Sequence, residues 1–522
     1  MVAGGSAPRS GELALFCRPV VTAPAAVRRD GTVLADAWLP DLARLGELEP
    51  HLGDRVIEAA VDAALEKGRL KPRQRRRIMS YPLVIRLMIA MTLTPDSSYC
   101  EALAKLAGLL ADIPFVLEWH IPTERVVTQW RLLIPADVTE DIFWHAAGPL
   151  ISDDEPSAVT LGGMAVLAAD GMLVNLADTP ANRAFFGCTG TADGSSPFPQ
   201  LRVIALTARA GRAVIGAVLG QAGSGEQTLL KRLARRRPEL FRGRVTCFDR
   251  NFPGYDLVTA ILLAGGHVIA RVKEGISLPL ADGPDRGWLP DGSRMSWLNA
   301  PSGKKEDRLP VRVTEHNVTM PSGDGEEQVS ETCTIITTLL DHQAVPADGI
   351  RDAYLTRWSA AETTFGEDKT TITGAGNRTS GPVLRSGSPR LVIQEAWAWL
   401  TATQLVRASE AAALRSAHAA ARALRRRNQA PVTADEESFT AARHHAIRSM
   451  TTTQVTATST LEALAAAADA AARASLHTLN TPGRQRHSER KQKARPKFPH
   501  ATATKTTVTG KPHVTVFAPG FY

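Results

Sequence analysis

Two apolar runs that each end in an acid constrain this chain more than anything else in it. One is Met164-Ala165-Val166-Leu167-Ala168-Ala169-Asp170, and the other is Arg244-Val245-Thr246-Cys247-Phe248-Asp249. Each is the length of a short buried strand and delivers a carboxylate at its C-terminal end. In open α/β sheets that edge is where sites form. Further strands are predicted at Leu173–Leu176, Arg202–Thr207 and Ala213–Leu219. A helix over Glu226–Arg236, the strand Val245–Phe248, a helix over Tyr255–Ala264 and the strand His267–Val272 follow. Strands, then strand–helix alternation, predict an α/β core over residues 160–272.

A third segment carries the remaining chemistry. Tyr354, Arg357 and Glu362 lie on what reads as one helix, and Lys369 follows Glu362 by seven residues. Two turns of 3.6 residues separate Glu362 from Lys369, so they share a face, with Arg357 somewhat off it. Asp170, Asp249 and Glu362 together supply three oxygen ligands. Hard divalent cations such as Mg²⁺ favour such ligands over thiolate or imidazole. An acid that holds metal beside cations that hold phosphate is what phosphodiester chemistry needs. Read from spacing alone, Asp170 and Asp249 are more simply ordinary strand-end turn residues.

In this combination the chain resembles the DDE transposases of bacterial insertion sequences, in the group named after insertion element four. That group carries Tyr-x2-Arg-x3-Glu-x6-Lys around its third acid, and here stand Tyr354, Arg357, Glu362 and Lys369, with the Arg–Glu spacing one residue longer. The first acid sits in Asp170-Gly171, followed by Asp178-Thr179-Pro180-Ala181-Asn182 and Phe186-Gly187. The second sits in Asp249-Arg250-Asn251-Phe252, similar to the family's Asp-Arg-x-Phe. The resemblance spans roughly residues 70–410.

The resemblance implies a ribonuclease-H-like catalytic core and cut-and-paste transposition. Asp170, Asp249 and Glu362 would hold two Mg²⁺ or Mn²⁺ ions about a scissile phosphate. Tyr354, Arg357, Lys369 and Arg250 would contact DNA, the cations by neutralising phosphate oxygens. Partners would be double-stranded DNA, both the inverted-repeat ends of the chain's own element and target DNA. A homodimer would pair the two ends. Some relatives stabilise a flipped base against an aromatic ring. Trp288 and Trp297 are candidates for that role, the plain alternative being that each anchors a small β core. The Asp178–Asn182 segment reads most simply as a turn.

Five stretches follow along the chain. Residues 1–155 read as an N-terminal helical unit beginning with a Gly/Ala/Pro-rich arm over 1–30, and the resemblance implies that this unit binds DNA. Helical spacing recurs at Arg55–Lys67 and Tyr81–Leu93. A helix capped at Ser97-Ser98 and a second over Arg125–Leu133 suggest a helix-turn-helix layout. Ordinary helical packing fits the same pattern. The core occupies 160–272, and a mostly β insertion occupies 273–350. The core then resumes over 351–410, with the third acid and an apolar helix over Arg390–Ala408. Residues 411–522 hold Ala-rich helices and a basic tail.

Bulk properties agree. The 522 residues carry a formal net charge of +8, which favours a polyanionic partner. Five cysteines occur without a C-x-x-C pair, as in a reducing cytoplasm. No secretory h-region and no run of about 20 apolar residues is present. The chain is therefore expected in the cytoplasm, on the nucleoid when DNA-bound, and not in a membrane. There is no Walker loop and no G-x-S-x-G elbow, and the tandem His444-His445 is a poor metal clamp. Two other functions remain open on sequence: a catalytically inactive DNA-binding descendant of a transposase, and a metal-dependent nuclease without strand transfer.

Overall fold

The structure is a computed structural model. It describes residues 26–27, 33–34, 45, 48–53, 55–72, 79–108, 122–148, 160–191, 194–195, 198–208, 212–273, 276–281, 287–321, 327–357, 383–423, 439–452, 470 and 513–516. Glu362 and Lys369 lie outside them, as do the Arg73–Arg77 run and most of the basic tail.

The N-terminal region is helical, as its spacing predicts. It comprises α1 (Val56–Glu66), α2 (Tyr81–Leu93), α3 (Tyr99–Gly108), α4 (Glu124–Arg131) and α5 (Ala136–Ala147). Ser80 caps α2 by accepting the Leu83 N–H at 3.3 Å, with Pro82 in the first turn where no donor is needed. Ser98 and Glu101 form a capping box at α3. The Ser98 hydroxyl accepts the Glu101 N–H at 3.2 Å, and Glu101 accepts the Ser98 N–H at 2.7 Å. Those bonds hold the Glu101 carboxyl below the usual range, the backbone donor first. The segment joining α3 to α4 lies outside the described residues.

Helix α2 is apolar nearly all round and is buried on all sides, including Arg86 at 2% exposure. Arg86 reaches Glu49 at 2.5 Å and Glu58 at 2.8 Å. Burial opposes its charge, but the attraction and hydrogen bonding of Glu49, joined by Glu58, outweigh burial and raise its pKa.

One mixed sheet forms the centre. Its strands are β1 (Met164–Leu176), β2 (Gln200–Ala208), β3 (Val214–Gln221), β4 (Arg244–Phe248), β5 (His267–Arg271), β6 (Arg294–Leu298), β7 (Leu309–Pro321) and β8 (Glu327–Thr337). Their order is β6-β7-β8-β5-β4-β1-β2-β3. β1, β2 and β3 form an antiparallel meander. β4 runs parallel to both β1 and β5.

Among the described residues, the strands of 273–350 do not make a sheet of their own. β8 pairs antiparallel with β5, and β7 and β6 follow outward, so the insertion extends the core sheet. Short strands at Thr160–Leu161 and Val383–Leu384 pair with β1. His513–Val516, from the expected tail, pairs with β7.

Helices cover both faces. α7 (Glu226–Arg236) and α8 (Tyr255–Leu263) pack on one through Leu167, Ala169, Ile204 and Phe248. The other face is shared. α9 (Ala347–Arg357) covers Val166, Val245, Cys247, Ile269 and Ile335. α10 (Pro389–Ala423) and the N-terminal helices cover Met172, Val174, Leu201 and Val203. α6 (Pro180–Phe186) and α11 (Phe439–Thr452) both lie against α10.

α10 is one 35-residue helix, about 52 Å long, that runs straight through the compositional shift expected to end the core near residue 410. Alanine is the best helix former, so an Ala-rich stretch continues a helix and does not interrupt it. Arg131 ties α4 to this axis. It is 1% exposed and donates to Ser386 Oγ at 3.0 Å and to the Leu391 carbonyl at 3.1 Å.

Two positions test this packing. Glu49→Ala leaves Arg86 buried with one carboxylate fewer. It should lower the stability read from the denaturant midpoint by about 3 kcal/mol, whereas replacing Glu49 and Arg86 together by Met should cost less. A Cβ on Gly171 would stand 2.7 Å from Glu226 Oε1 and 2.8 Å from Ile204 Cδ1, at the seat of α7. Gly171→Ala should therefore cost about 1–3 kcal/mol, measured the same way.

Candidate active site

Parallel pairing sets Ala165 beside Arg244 and, four rungs on, Ala169 beside Phe248. The next residues along the two strands are Asp170 and Asp249, so the two acids stand side by side on neighbouring strands. Side chains alternate between faces. On β1, Leu167 and Ala169 face α7 and α8, while Val166 and Met172 face the other side. Asp170 shares that second face. On β4, Phe248 faces α8 and Cys247 faces α9, with its Sγ 3.8 Å from the Ala353 carbonyl. Asp249 follows the last residue of the strand, and alternation continued by one residue would bring it to the same side as Asp170.

Asp170 thus lies between two helix-covered patches, with Val166 under α9 and Met172 under α10. Both carboxylates are half-buried. Asp170 Oδ1 accepts the Gly171 N–H at 2.8 Å, and Asp249 Oδ1 accepts the Arg250 N–H at 2.7 Å. Arg250 itself is exposed.

Asp170 does not end a strand. Met164–Leu176 is continuous, and Asp170 sits within it opposite Ala205. The pairs from Gly171–Ile204 to Asn175–Gln200 keep the chain extended, so the predicted strands at Met164–Ala169 and Leu173–Leu176 are one. Asp249 does follow the last residue of its strand.

α9 leads toward this pair. Its start lies near the start of β1, since a Cβ on Gly349 would be 3.0 Å from Leu161. Ala353 stands at Cys247, and Cys247 is level with Ala168. The helix therefore climbs along β1 and β4 toward the acids and ends at Arg357, whose side chain is not described. Tyr354 is 5% exposed and packs in the cluster of Val166, Val245, Cys247 and Ile269, where it anchors α9 to the sheet.

The insertion fixes the other end of this helix. Arg312, fully buried, donates to the Val345 carbonyl at 2.7 Å and to Asp291 at 2.8 Å. Asp291 also accepts the Ala347 N–H, at the first residue of α9, at 2.9 Å. Its carboxyl is held below the usual range: burial opposes this, and the donors from Ser293 with the charge of Arg312 prevail. Sequence reasoning passed over both residues, because a buried arginine within a strand has no periodic signature. It also passed over Gly171, although a bare glycine inside a strand pattern signals close approach of another element.

Trp288 bridges Arg294, and Trp297 sits in β6 opposite Pro310. β6 is four strands from β4 in the sheet order, about 19 Å at the usual spacing, so neither is brought beside the carboxylates. The Asp178–Asn182 segment is a helix start and not a free turn. Thr179 caps α6 by accepting the Asn182 N–H at 3.2 Å, Pro180 opens the helix, and buried Asn182 donates to the Ala177 and Ser386 carbonyls.

Two adjoining carboxylates repel when both are ionised, and a cation relieves that. The donors are hard oxygens on a half-open face, which fits a divalent ion such as Mg²⁺. Among the described residues no group of three or more His, Cys, Asp or Glu gathers to hold a metal. The third predicted acid, Glu362, lies outside them.

No family model matches the chain. It is 25% identical over 385 residues to the transposase InsG for insertion sequence element IS4 of Escherichia coli (strain K12), over 71% of this chain and 77% of that protein. Among solved structures, the cryo-EM structure of a piggyBac transposase synaptic complex with hairpin DNA aligns over 85% of this chain and 87% of that one. The TM-score is 0.39 at 10% identity. Among the described residues no helix is long and apolar enough to cross a membrane. By its sequence, this chain is a relative of the IS4-type transposases.

Proposed function

We propose that the chain is a metal-dependent DNA transposase that cleaves the ends of its own element and joins them to target DNA. The observation that carries the reading is the side-by-side placement of Asp170 and Asp249 on β1 and β4, with α9 climbing toward them. The relationship to an insertion-sequence transposase supports it. We read the β3-β2-β1-β4-β5 part of the sheet, antiparallel in its first three strands and parallel thereafter, as a ribonuclease-H-like core.

Glu362, five residues beyond the end of α9, is the third acid in this reading. The three carboxylates would hold two Mg²⁺ or Mn²⁺ ions, which when bound generate the nucleophile and neutralise the leaving oxygen. Asp170 and Asp249 orient that centre from a rigid sheet, where pairing on both strands limits their movement. Arg357, Lys369 and exposed Arg250 neutralise nonbridging phosphate oxygens. Tyr354 positions α9, and given its burial we assign it that role ahead of a phosphate contact. The chain works on duplex DNA, and two copies pair because an element has two ends. Trp288 or Trp297 stacking on a flipped base belongs to the same reading, and requires DNA to reach the β6 edge.

On duplexes carrying the ends of the encoding element, Mg²⁺ should support cleavage that leaves a 3′-hydroxyl. Asp170→Asn and Asp249→Asn should each slow cleavage by at least about 100-fold while end binding, read by fluorescence anisotropy, stays within about twofold. Glu362→Gln should behave alike. Cleavage at the wild-type rate by Asp249→Asn would remove that residue from the site.

A further inference from the structure

α7 carries a charged surface that the carboxylate site does not use. Residues 226–244 hold seven Lys or Arg against two Glu. Leu229, Leu230, Leu233 and Ala234 are buried against the sheet. Arg232, Arg235 and Arg236, three and four positions apart, are therefore turned outward on one arc and are exposed. Exposed Arg242 joins them at the same end, packed against Gly265 just beyond α8.

The neighbouring charges are mostly committed elsewhere. Lys231 pairs with Asp256 at 2.8 Å. Arg237 lies 4.4 Å over the Trp144 ring and 3.6 Å from Glu239. Arg244 is buried and donates to the Glu239 and Leu240 carbonyls. Arg232 donates to the Leu219 carbonyl at 2.6 Å. That leaves Arg236, which meets Glu140 only at 3.9 Å, Arg235, which adds to the positive field at Asp256 without bonding to it, and Arg242, whose backbone N–H donates to Pro238 while its guanidinium is exposed.

We propose that Arg235, Arg236 and Arg242, with Arg232 beside them, form a second DNA surface that grips duplex phosphates without reading sequence. This rests on the reading that the chain acts on DNA, and adds where duplex outside the cleavage site is held. Guanidinium groups suit phosphate because they pair with it in bidentate fashion. α7 is about 16 Å long, about five base-pair steps. Its N-terminus abuts Gly171 beside Asp170 and its basic end points away. The held phosphates therefore lie about one helix length from Gly171, on the face of the sheet opposite the one to which Asp170 belongs.

The test is a salt titration of full-length protein on a duplex unrelated to the element, read by fluorescence anisotropy. Wild type is compared with R235Q/R236Q/R242Q and with K304Q/K305Q/R308Q, which removes equal charge from the β6–β7 connection. Melting temperatures are recorded for all three. We expect the slope of log affinity on log salt to shrink by about two to three in the first triple and much less in the second, because each released contact is worth about 0.9. R235K/R236K/R242K should retain most of the slope. A salt-dependent wild type with an unchanged slope in the first triple overturns the proposal, as does an equal loss in both triples. No affinity of wild type for any duplex overturns the DNA-acting reading itself, and this inference with it.

Discussion

The parallel pairing of β1 with β4 is the interaction on which the candidate site depends. Five rungs, from Ala165–Arg244 to Ala169–Phe248, set the register that makes Asp170 and Asp249 neighbours. Side chains alternate with a period of two, so a slip of one residue would send one carboxylate under α7 and α8 and leave the other opposite. Burial prevents the slip. Phe248 and Ala169 are packed on one face and Cys247 and Val166 on the other, and a shift would exchange these environments on a strand buried on both sides.

The elements around that pairing position it in space. On one face Gly171 lets α7 approach the sheet beside Asp170, where any side chain would collide with Glu226 or Ile204. On the opposite face α9 is held at its start by the Asp291–Arg312 bond and along its length by Tyr354. The insertion, joined to β5 through β8, is thus mechanically continuous with the site. The same buried region holds His316, 1% exposed, whose pKa burial pushes down to about 4, with Arg351 acting in the same direction. It is therefore neutral at pH 7.

Much of this architecture was legible in the residues because local signals were strong. α2 and α7 span the predicted residues, since Ser80 and Pro82 open the one and a clear amphipathic repeat defines the other. The capping box at Ser98 and Glu101 was visible as spacing. Asp170 was expected at a strand end because the apolar run stops at it, and only pairing with β2 carries the chain through it. The shift to Ala-rich composition looked like a boundary, yet Ala prolongs a helix and α10 continues. Arg312 and Asp291 were invisible because a buried ion pair depends on residues brought together from distant positions.

By itself the sequence determined the kinds of element, the acid at the end of each apolar run, the polarity of α7, and a relationship to transposases that the alignment with the IS4 protein bears out. These depend on periodicity, capping and local spacing, which act within a few residues. Tertiary structure alone decided that β1 and β4 are adjacent and parallel, that Asp170 and Asp249 each follow the last paired residues of those two strands, and that the 273–350 strands extend the core sheet to hold α9. Those outcomes rest on hydrogen bonds and burial between segments 56 to 79 residues apart, and no local pattern encodes which segments will meet.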